Sequence, residues 1–272
     1  MPPSPNPAPV AELRDVAVTT AGLRGQRVGP TSAPPGDRPV LDGISLTIEA
    51  GELVAVLGES GGGKSTLLRL LNGMWDPTGG EVRLWGTPVE QWKPAELRRR
   101  AVFVPQRPSV LAETVGEDLA VPLEWARRTL EDPQRWLDLV QLGDLDPATP
   151  TRELSEGQRL RLSLARALAL EPKLLLLDEP TSALDVRTAR ELLAALVGWA
   201  RSAEAAVVLV THRPADLQDL QGRALVLLAG QVAADVPAGA IVGNDPTALP
   251  PAVRDFFQGH RGESPLSQET AP

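Results

Sequence analysis

Gly58-Glu59-Ser60-Gly61-Gly62-Gly63-Lys64-Ser65 is a glycine-rich run closed by an ammonium and a hydroxyl, with Thr66 following. Those residue types at that spacing fit G-x4-G-K-[ST], a phosphate-binding loop. Glycines let backbone N–H groups converge on phosphate oxygens at a helix N-terminus, where the helix dipole also favours an anion. In that loop Lys64 neutralises the β and γ phosphates and the Ser65 hydroxyl ligates Mg²⁺. A second constellation, Leu174-Leu175-Leu176-Leu177-Asp178-Glu179, ends an apolar run on two carboxylates. A buried parallel strand delivers such groups at its C-terminal edge, where open α/β sheets bind ligands. Asp178 is assigned to the Mg²⁺ shell through water, and Glu179 to the general base that polarises an attacking water. Ser155, in Leu154-Ser155-Glu156-Gly157-Gln158, reads as the N-cap of a helix that runs to about Leu170.

These groups need a scaffold of strands and helices, and the patterning supplies one. Residues 53–57 are a short apolar strand feeding the glycine loop, and residues 67–74 continue as helix until Pro77 to Gly80 breaks it. Residues 11–18 read as a first strand, and 40–48 alternate apolar and polar as a half-buried strand does. Residues 81–85 and 101–104 are further strands. From 115 to about 142 the apolar positions fall three and four apart, which predicts a small helical lobe. Residues 173–177 and 207–210 are expected to be adjacent core strands joined by a helix over 186–201, with a hairpin over 225–234. The predicted fold is α/β: a P-loop NTPase core with a mostly parallel sheet, an antiparallel N-terminal β-subdomain and an inserted helical lobe. Residues 10–261 are expected to form a single domain, with the lobe at about 107–165. The proline-rich stretch 1–9 is expected to be disordered and 262–272 to be a flexible tail. The Gly/Pro/Ser-rich loop over 22–39 is long for a connection inside a compact domain.

Composition narrows the classes. With 272 residues, 42% hydrophobic and 23% charged, the chain has ample apolar surface for a core. No apolar run approaches the roughly 18 residues that cross a bilayer, and no basic-then-apolar leader opens the sequence, so secretion is not expected. Zero cysteines exclude disulfides, thiolate metal sites and cysteine nucleophiles. A net charge of −8 argues against generic nucleic-acid binding. Arg98-Arg99-Arg100 and the arginines of 159–166 read as solvated helix faces or a nucleotide neighbourhood. Four of the six tryptophans, Trp85, Trp92, Trp125 and Trp136, fall in or near the lobe half. Core packing or amphipathic surface is the default reading for them, and a groove for a membrane partner the sharper one. Phe256-Phe257 reads as part of a docking helix.

Taken in order over roughly residues 10 to 240, Gly58–Ser65, Leu154–Gln158 and Asp178-Glu179 resemble the ATP-binding subunit of the ABC (ATP-binding cassette) superfamily. The resemblance implies ATP and Mg²⁺ as ligands and hydrolysis as the activity. It makes Ser155, Gly157 and Gln158 the start of a helix that faces the γ-phosphate bound by another subunit. Gln106, after Val102-Phe103-Val104-Pro105, resembles the Q-loop glutamine, which contacts Mg²⁺ or the attacking water beside a partner protein. His212 resembles the H-loop histidine bridging the γ-phosphate and Glu179, and Ser182-Ala183-Leu184-Asp185 resembles the D-loop. The implied partners are a second copy or another ABC ATPase, plus a separate integral membrane permease docked near Gln106 and the lobe. The implied location is cytoplasmic, peripheral on the inner face of the cell membrane.

Three departures stand out. Glu156 replaces the commoner signature glycine, Glu59 adds a carboxylate to the phosphate loop, and Val18-Thr19-Thr20-Ala21 lacks the aromatic that stacks on adenine. Arg24 or Arg27 are the candidate substitutes. Residues 91–122 look like small ATPases of the iron-export type, with compact amino-acid or phosphate importers as close competitors. A soluble ABC ATPase and a low-turnover nucleotide-sensing module remain as other classes.

Overall fold

The computed structural model describes residues 8–24, 38–218, 220–243 and 249–261. Residues 1–7, Arg27 and the 262–272 stretch lie outside that set, as does the side chain of Arg24. In chain order the strands are β1 (Ala11–Thr19), β2 (Pro39–Ile48), β3 (Leu53–Gly58), β4 (Gly79–Leu84), β5 (Thr87–Pro88), β6 (Ala101–Val104), β7 (Leu174–Asp178), β8 (Ala206–Val210), β9 (Arg223–Leu228) and β10 (Gln231–Pro237). The α-helices are α1 (Thr20–Arg24), α2 (Lys64–Leu71), α3 (Pro94–Arg100), α4 (Val115–Trp125), α5 (Pro133–Leu139), α6 (Glu156–Ala169), α7 (Val186–Ala203), α8 (Ala238–Val242) and α9 (Pro251–Arg261).

Two sheets result. The larger has the order β10-β9-β3-β8-β7-β6 and is parallel throughout except for the β9–β10 edge. The smaller, β2-β1-β4-β5, is antiparallel. Every residue of β3, β7 and β8 is buried. Parallel strands covered on both faces read as continuous apolar runs, which explains the leucines of β7. Alternation persists inside the run. Leu174 and Leu176 face the antiparallel sheet and α2, whereas Leu175 and Leu177 face the helices of the lobe and α7. Each leucine buried in this way contributes about 1.5–3 kcal/mol of transfer free energy.

Strand order places the chemistry. Because β3, β8, β7 and β6 run parallel as neighbours, their C-terminal ends share one sheet edge. Gly58, His212, Asp178, Glu179 and Gln106 all leave the sheet there.

Local structure corrects or refines the sequence reading in three places. The helix after the glycine loop stops at Leu71 rather than near Met74. Gly73 adopts φ 62°, and the N–H groups of Met74 and Trp75 both bond to Arg69 O, at 2.9 and 3.1 Å, closing the helix end. The helical lobe segment holds two helices over residues 115–139. Arg127, at φ 56°, turns the chain after α4, and Asp132 caps α5 by accepting from the Arg135 N–H. Trp85 and Trp92 do not belong to the lobe. They meet edge to face at 5.6 Å and pack against the antiparallel-sheet core, with the Arg100 guanidinium 4.3 Å from the Trp85 ring. Arg100 therefore serves as a cation–π partner, and Arg98 donates to Gly73 O at 3.2 Å. Trp136 lies in the lobe core and Trp125 is 71% exposed.

One buried ion pair fastens the lobe. Asp118, 1% exposed on α4, lies 2.6 Å from Arg166 Nη1 on α6. Its other oxygen accepts from the N–H groups of Leu111 and Ala112. Arg166 also donates to Ser109 O at 3.0 Å. The two lobe helices thus grip the stretch that follows Gln106.

Candidate active site

The glycine loop is shaped by close backbone approach. At Gly58, φ 147°, a Cβ would sit 2.0 Å from Leu227 O, and at Gly63, φ 89°, 2.6 Å from Val40 O. Only glycine fits either position, so the loop passes close under β9 and β2 into α2. Glu59, Ser60 and Gly61 are exposed, Ser65 is half-buried, and Gly62, Gly63 and Thr66 are buried. Lys64 is 8% exposed, and its Nζ donates to Gly58 O at 2.9 Å and Glu59 O at 2.6 Å. An ammonium has three donors, so these carbonyls leave one for a phosphate oxygen. Burial pushes the Lys64 pKa below its ordinary value, and the carboxylates of Glu179, Asp178 and Glu59 oppose that, in this order. A cradle closed to a Cβ at Gly58 and Gly63, holding a buried cation, fits a polyphosphate. Glu59 takes part through its carbonyl and its field.

Opposite the loop, Asp178 is 7% exposed and pairs in register with Val210. Glu179 follows at φ 51°, with its N–H on Val210 O at 3.0 Å. A left-handed glutamate is uncommon and persists only where its surroundings impose it. Its Oε2 accepts from Gln106 Nε2 at 2.7 Å and lies 3.3 Å from His212 Nδ1. The Gln106 amide nitrogen therefore rests on Glu179, and its carbonyl oxygen is not used by that contact. The His212 ring, 58% exposed, presents its other nitrogen away from that contact. Gly58, Ser60, Lys64, Gln106, Glu179 and His212 line one cleft of about 880 Å³, whose further wall includes Ile241, Val242, Phe256 and Phe257.

Ser155, Gly157 and Gln158 do not line this cleft. Ser155 caps α6 with a reciprocal pair: its Oγ accepts from Gln158 N at 3.2 Å, and Gln158 Oε1 accepts from Ser155 N at 2.9 Å. The hydroxyl proton is not consumed by that cap. A Cβ at Gly157 would stand 3.0 Å from Ala183 O, so the helix start packs against residues 182–185 of its own chain. Within that segment Ser182 Oγ donates to Glu179 O at 3.0 Å. Asp185 caps α7, and its bonds from Thr188, backbone first and hydroxyl second, hold its carboxyl below the usual value. Ser155→Ala is expected to cost about 1 kcal/mol through loss of the cap, read as a lower urea midpoint at unchanged m.

Sequence reasoning missed Thr181, Thr211 and Asp216, whose side chains meet behind the cleft. An acidic residue shortly after His212 was the available signal, but alone it reads as solvated.

A glycine-loop cradle at the C-terminal edge of a parallel sheet, facing a carboxylate held by glutamine and histidine, is the arrangement of a P-loop nucleotide-binding cassette. Residues 41–182 match the family described as ABC transporter, and the chain belongs to that family. It is 39% identical over 214 residues to the methionine import ATP-binding protein MetN of Mesorhizobium japonicum, covering 76% of this chain and 58% of the relative. The MetN of Cereibacter sphaeroides is 38% identical over 263 residues, covering 92% of this chain and 72% of the relative. Among solved structures, the dimeric post-hydrolysis state of the ATP-binding cassette MJ0796 with ADP and Pi superimposes with a TM-score of 0.72 at 28% identity, covering 84% of this chain and 98% of that one. The chain therefore spans 58% of the length of the Mesorhizobium relative.

These relatives favour the importer alternative over metal export. Two residues of the 91–122 window that suggested export have local structural duties. Pro94 opens α3, and Thr114 caps α4 in a capping box with Glu117. Neither duty carries information about a transported substrate.

Proposed function

We propose that this chain is the Mg²⁺-dependent ATPase subunit of an importer for a small amino acid, with methionine the first candidate. The observation that carries the hydrolytic part is the Glu179 carboxylate held between Gln106 and His212 across the cleft from Lys64. The methionine part is supported by the named relatives. Residues 10–261 act as one cassette, with the lobe over about 107–165.

The loop N–H groups and Lys64 hold the ATP phosphates. Ser65, Asp178 and Gln106 are the residues that would hold Mg²⁺. The described residues contain no cluster of three acidic or histidine side chains, and Mg²⁺ needs none, because it binds through one or two side chains together with phosphate oxygens. The ion, when bound, supplies charge neutralisation at the β and γ phosphates. Glu179 orients and deprotonates the attacking water, while Gln106 and His212 fix its carboxylate. The second ring nitrogen of His212 is placed for the γ-phosphate.

Ser155, Gly157 and Gln158 act on the nucleotide of a second copy or of a paired ABC ATPase. Their absence from the cleft of their own chain supports this, as does the anion-favouring N-terminus of the 14-residue α6. Among the described residues no helix is long and apolar enough to cross a membrane. A separate permease is the transporting partner. Exposed Val110 and Leu111, a few residues after Gln106, and exposed Trp125 at the end of α4 are its candidate apolar contacts, and a permease partner implies a position at the cytoplasmic face of the membrane. No nucleic-acid partner is proposed.

The test combines two measurements. ATP should drive Glu179→Gln from monomer to dimer in sedimentation, and Lys64→Ala should stay monomeric. A Glu179→Gln protein that remains monomeric at saturating ATP would sink the shared-site reading. Cells expressing the chain with the permease it co-purifies with should accumulate labelled methionine, and Lys64→Ala should return uptake to background. Equal uptake by both would overturn the transport role.

A further inference from the structure

Behind the cleft, three segments converge on one buried carboxylate. Asp216 lies in the 3-10 turn Pro214–Leu217 and is 6% exposed. Its Oδ2 accepts from Thr181 Oγ1 at 2.7 Å and from Thr211 Oγ1 at 2.6 Å. Both threonines are buried, at 1% and 2% exposure. Arg213 closes the cluster. Its Nη1 donates to Thr181 O at 3.1 Å, its backbone N–H donates to Thr211 Oγ1 at 3.0 Å, and its Nε lies 3.8 Å from Asp216 Oδ1. Thr181 stands just beyond Glu179, and Thr211 immediately precedes His212. One carboxylate therefore clamps the segment carrying the base to the segment carrying the histidine.

The chemistry makes the clamp stiff. A carboxylate out of water is costly unless it is paired and hydrogen-bonded, and charge-assisted hydroxyl bonds of this length are among the stronger ones. Glu179 sits at φ 51°, a conformation that needs external support. Its backbone N–H is tied to Val210 O on β8, and two residues later Thr181 is tied to Asp216. The 3.3 Å approach of His212 to Glu179 is set between those two anchors.

We propose that Asp216 is a positioning residue for hydrolysis, fixing His212 and Glu179 relative to each other through the hydroxyls of Thr211 and Thr181. This rests on the reading of Glu179 and His212 as the hydrolytic pair. Asp216→Ala should lower kcat for Mg-ATP by about 10- to 100-fold, the scale of a small misplacement of reacting groups, with KM for ATP changed less than about threefold. Asp216→Asn keeps an oxygen that can face both hydroxyls and should restore kcat to within about threefold. In a ¹H–¹⁵N spectrum the His212 imidazole signal should move in Asp216→Ala, with His260, the only other histidine, as reference. If Asp216→Ala does not fold, Thr211→Val and Thr181→Val carry the same two readouts. Wild-type kcat, or an unmoved His212 signal, in the folded variants overturns the proposal. Glu179→Gln separates the two levels. Unimpaired turnover there defeats the hydrolytic assignment, whereas lost turnover there with wild-type turnover in Asp216→Ala defeats the positioning role alone.

Discussion

Glu179→Gln should lower steady-state phosphate release from ATP by about 10²- to 10⁴-fold, the range a positioned general base supplies. The substitution is close to isosteric. A glutamine carbonyl oxygen at the Oε2 position still accepts from Gln106 Nε2, so the 2.7 Å contact and the loop geometry should survive. Proton-accepting capacity disappears while the phosphate cradle stays intact. ATP affinity should hold or improve, because a carboxylate that competes with phosphate for Lys64 has gone. The same carboxylate has a second signature. Burial lowers the Lys64 pKa, and Glu179 is the first of the charges that raise it back. Removing Glu179 lowers it further, so the ammonium of the free site is lost at a lower pH. ATP affinity of Glu179→Gln should therefore begin to weaken at a less alkaline pH than that of the wild type. Phosphate release and ATP titration across alkaline pH check both parts. Turnover within about threefold of wild type would remove Glu179 from the mechanism.

Residues constrained by a small ligand were the legible ones. The glycine loop shows in the sequence because backbone proximity at Gly58 and Gly63 forbids any side chain, and because phosphate charge requires Lys64. Asp178-Glu179 shows because a strand buried on both faces must be apolar until it reaches the sheet edge. Ser155 shows because a helix start has donors to satisfy and Gln158 sits at the reciprocal position. What stayed hidden depends on pairing between distant segments. Thr181 and Asp216 are 35 residues apart and meet only because β7 and β8 are neighbours, an order that no local pattern encodes. A carboxylate in a turn reads as solvated until that neighbour is known. Of the helix α3, only the arginines at its end drew a helical reading; Pro94 opens it because a proline at the first helical position lacks an N–H that would have no partner there. Trp85 and Trp92 were placed by sequence proximity, whereas the sheet register and Arg100 draw them to the opposite core.

Asp118→Ala should destabilise the protein by about 3–5 kcal/mol, the cost of removing one partner from a buried ion pair. Arg166, with a side chain only 14% exposed, would retain its charge without its carboxylate. The N–H groups of Leu111 and Ala112 would lose their acceptor at the same time. The uncompensated charge of the largely buried Arg166, not the net strength of the salt bridge, sets the size of the loss. The internal control is Arg128–Glu171, whose side chains are 47% and 52% exposed. Water solvates both of those charges, so Glu171→Ala should cost less than about 1 kcal/mol. Urea unfolding of both variants, compared at constant m, separates the two cases. Equal losses would mean that burial does not govern these pairs. Asp118→Ala has a further reach, because Arg166 and Asp118 together hold Ser109, Leu111 and Ala112 in place. That stretch joins Gln106 to α4, and Arg166 ties it to α6, the helix that starts at Ser155. A loosened grip should therefore leave ATP binding at Lys64 unchanged while uncoupling lobe position from the Gln106–Glu179 contact. The folded fraction of Asp118→Ala should bind ATP normally yet turn it over more slowly than stability loss alone explains.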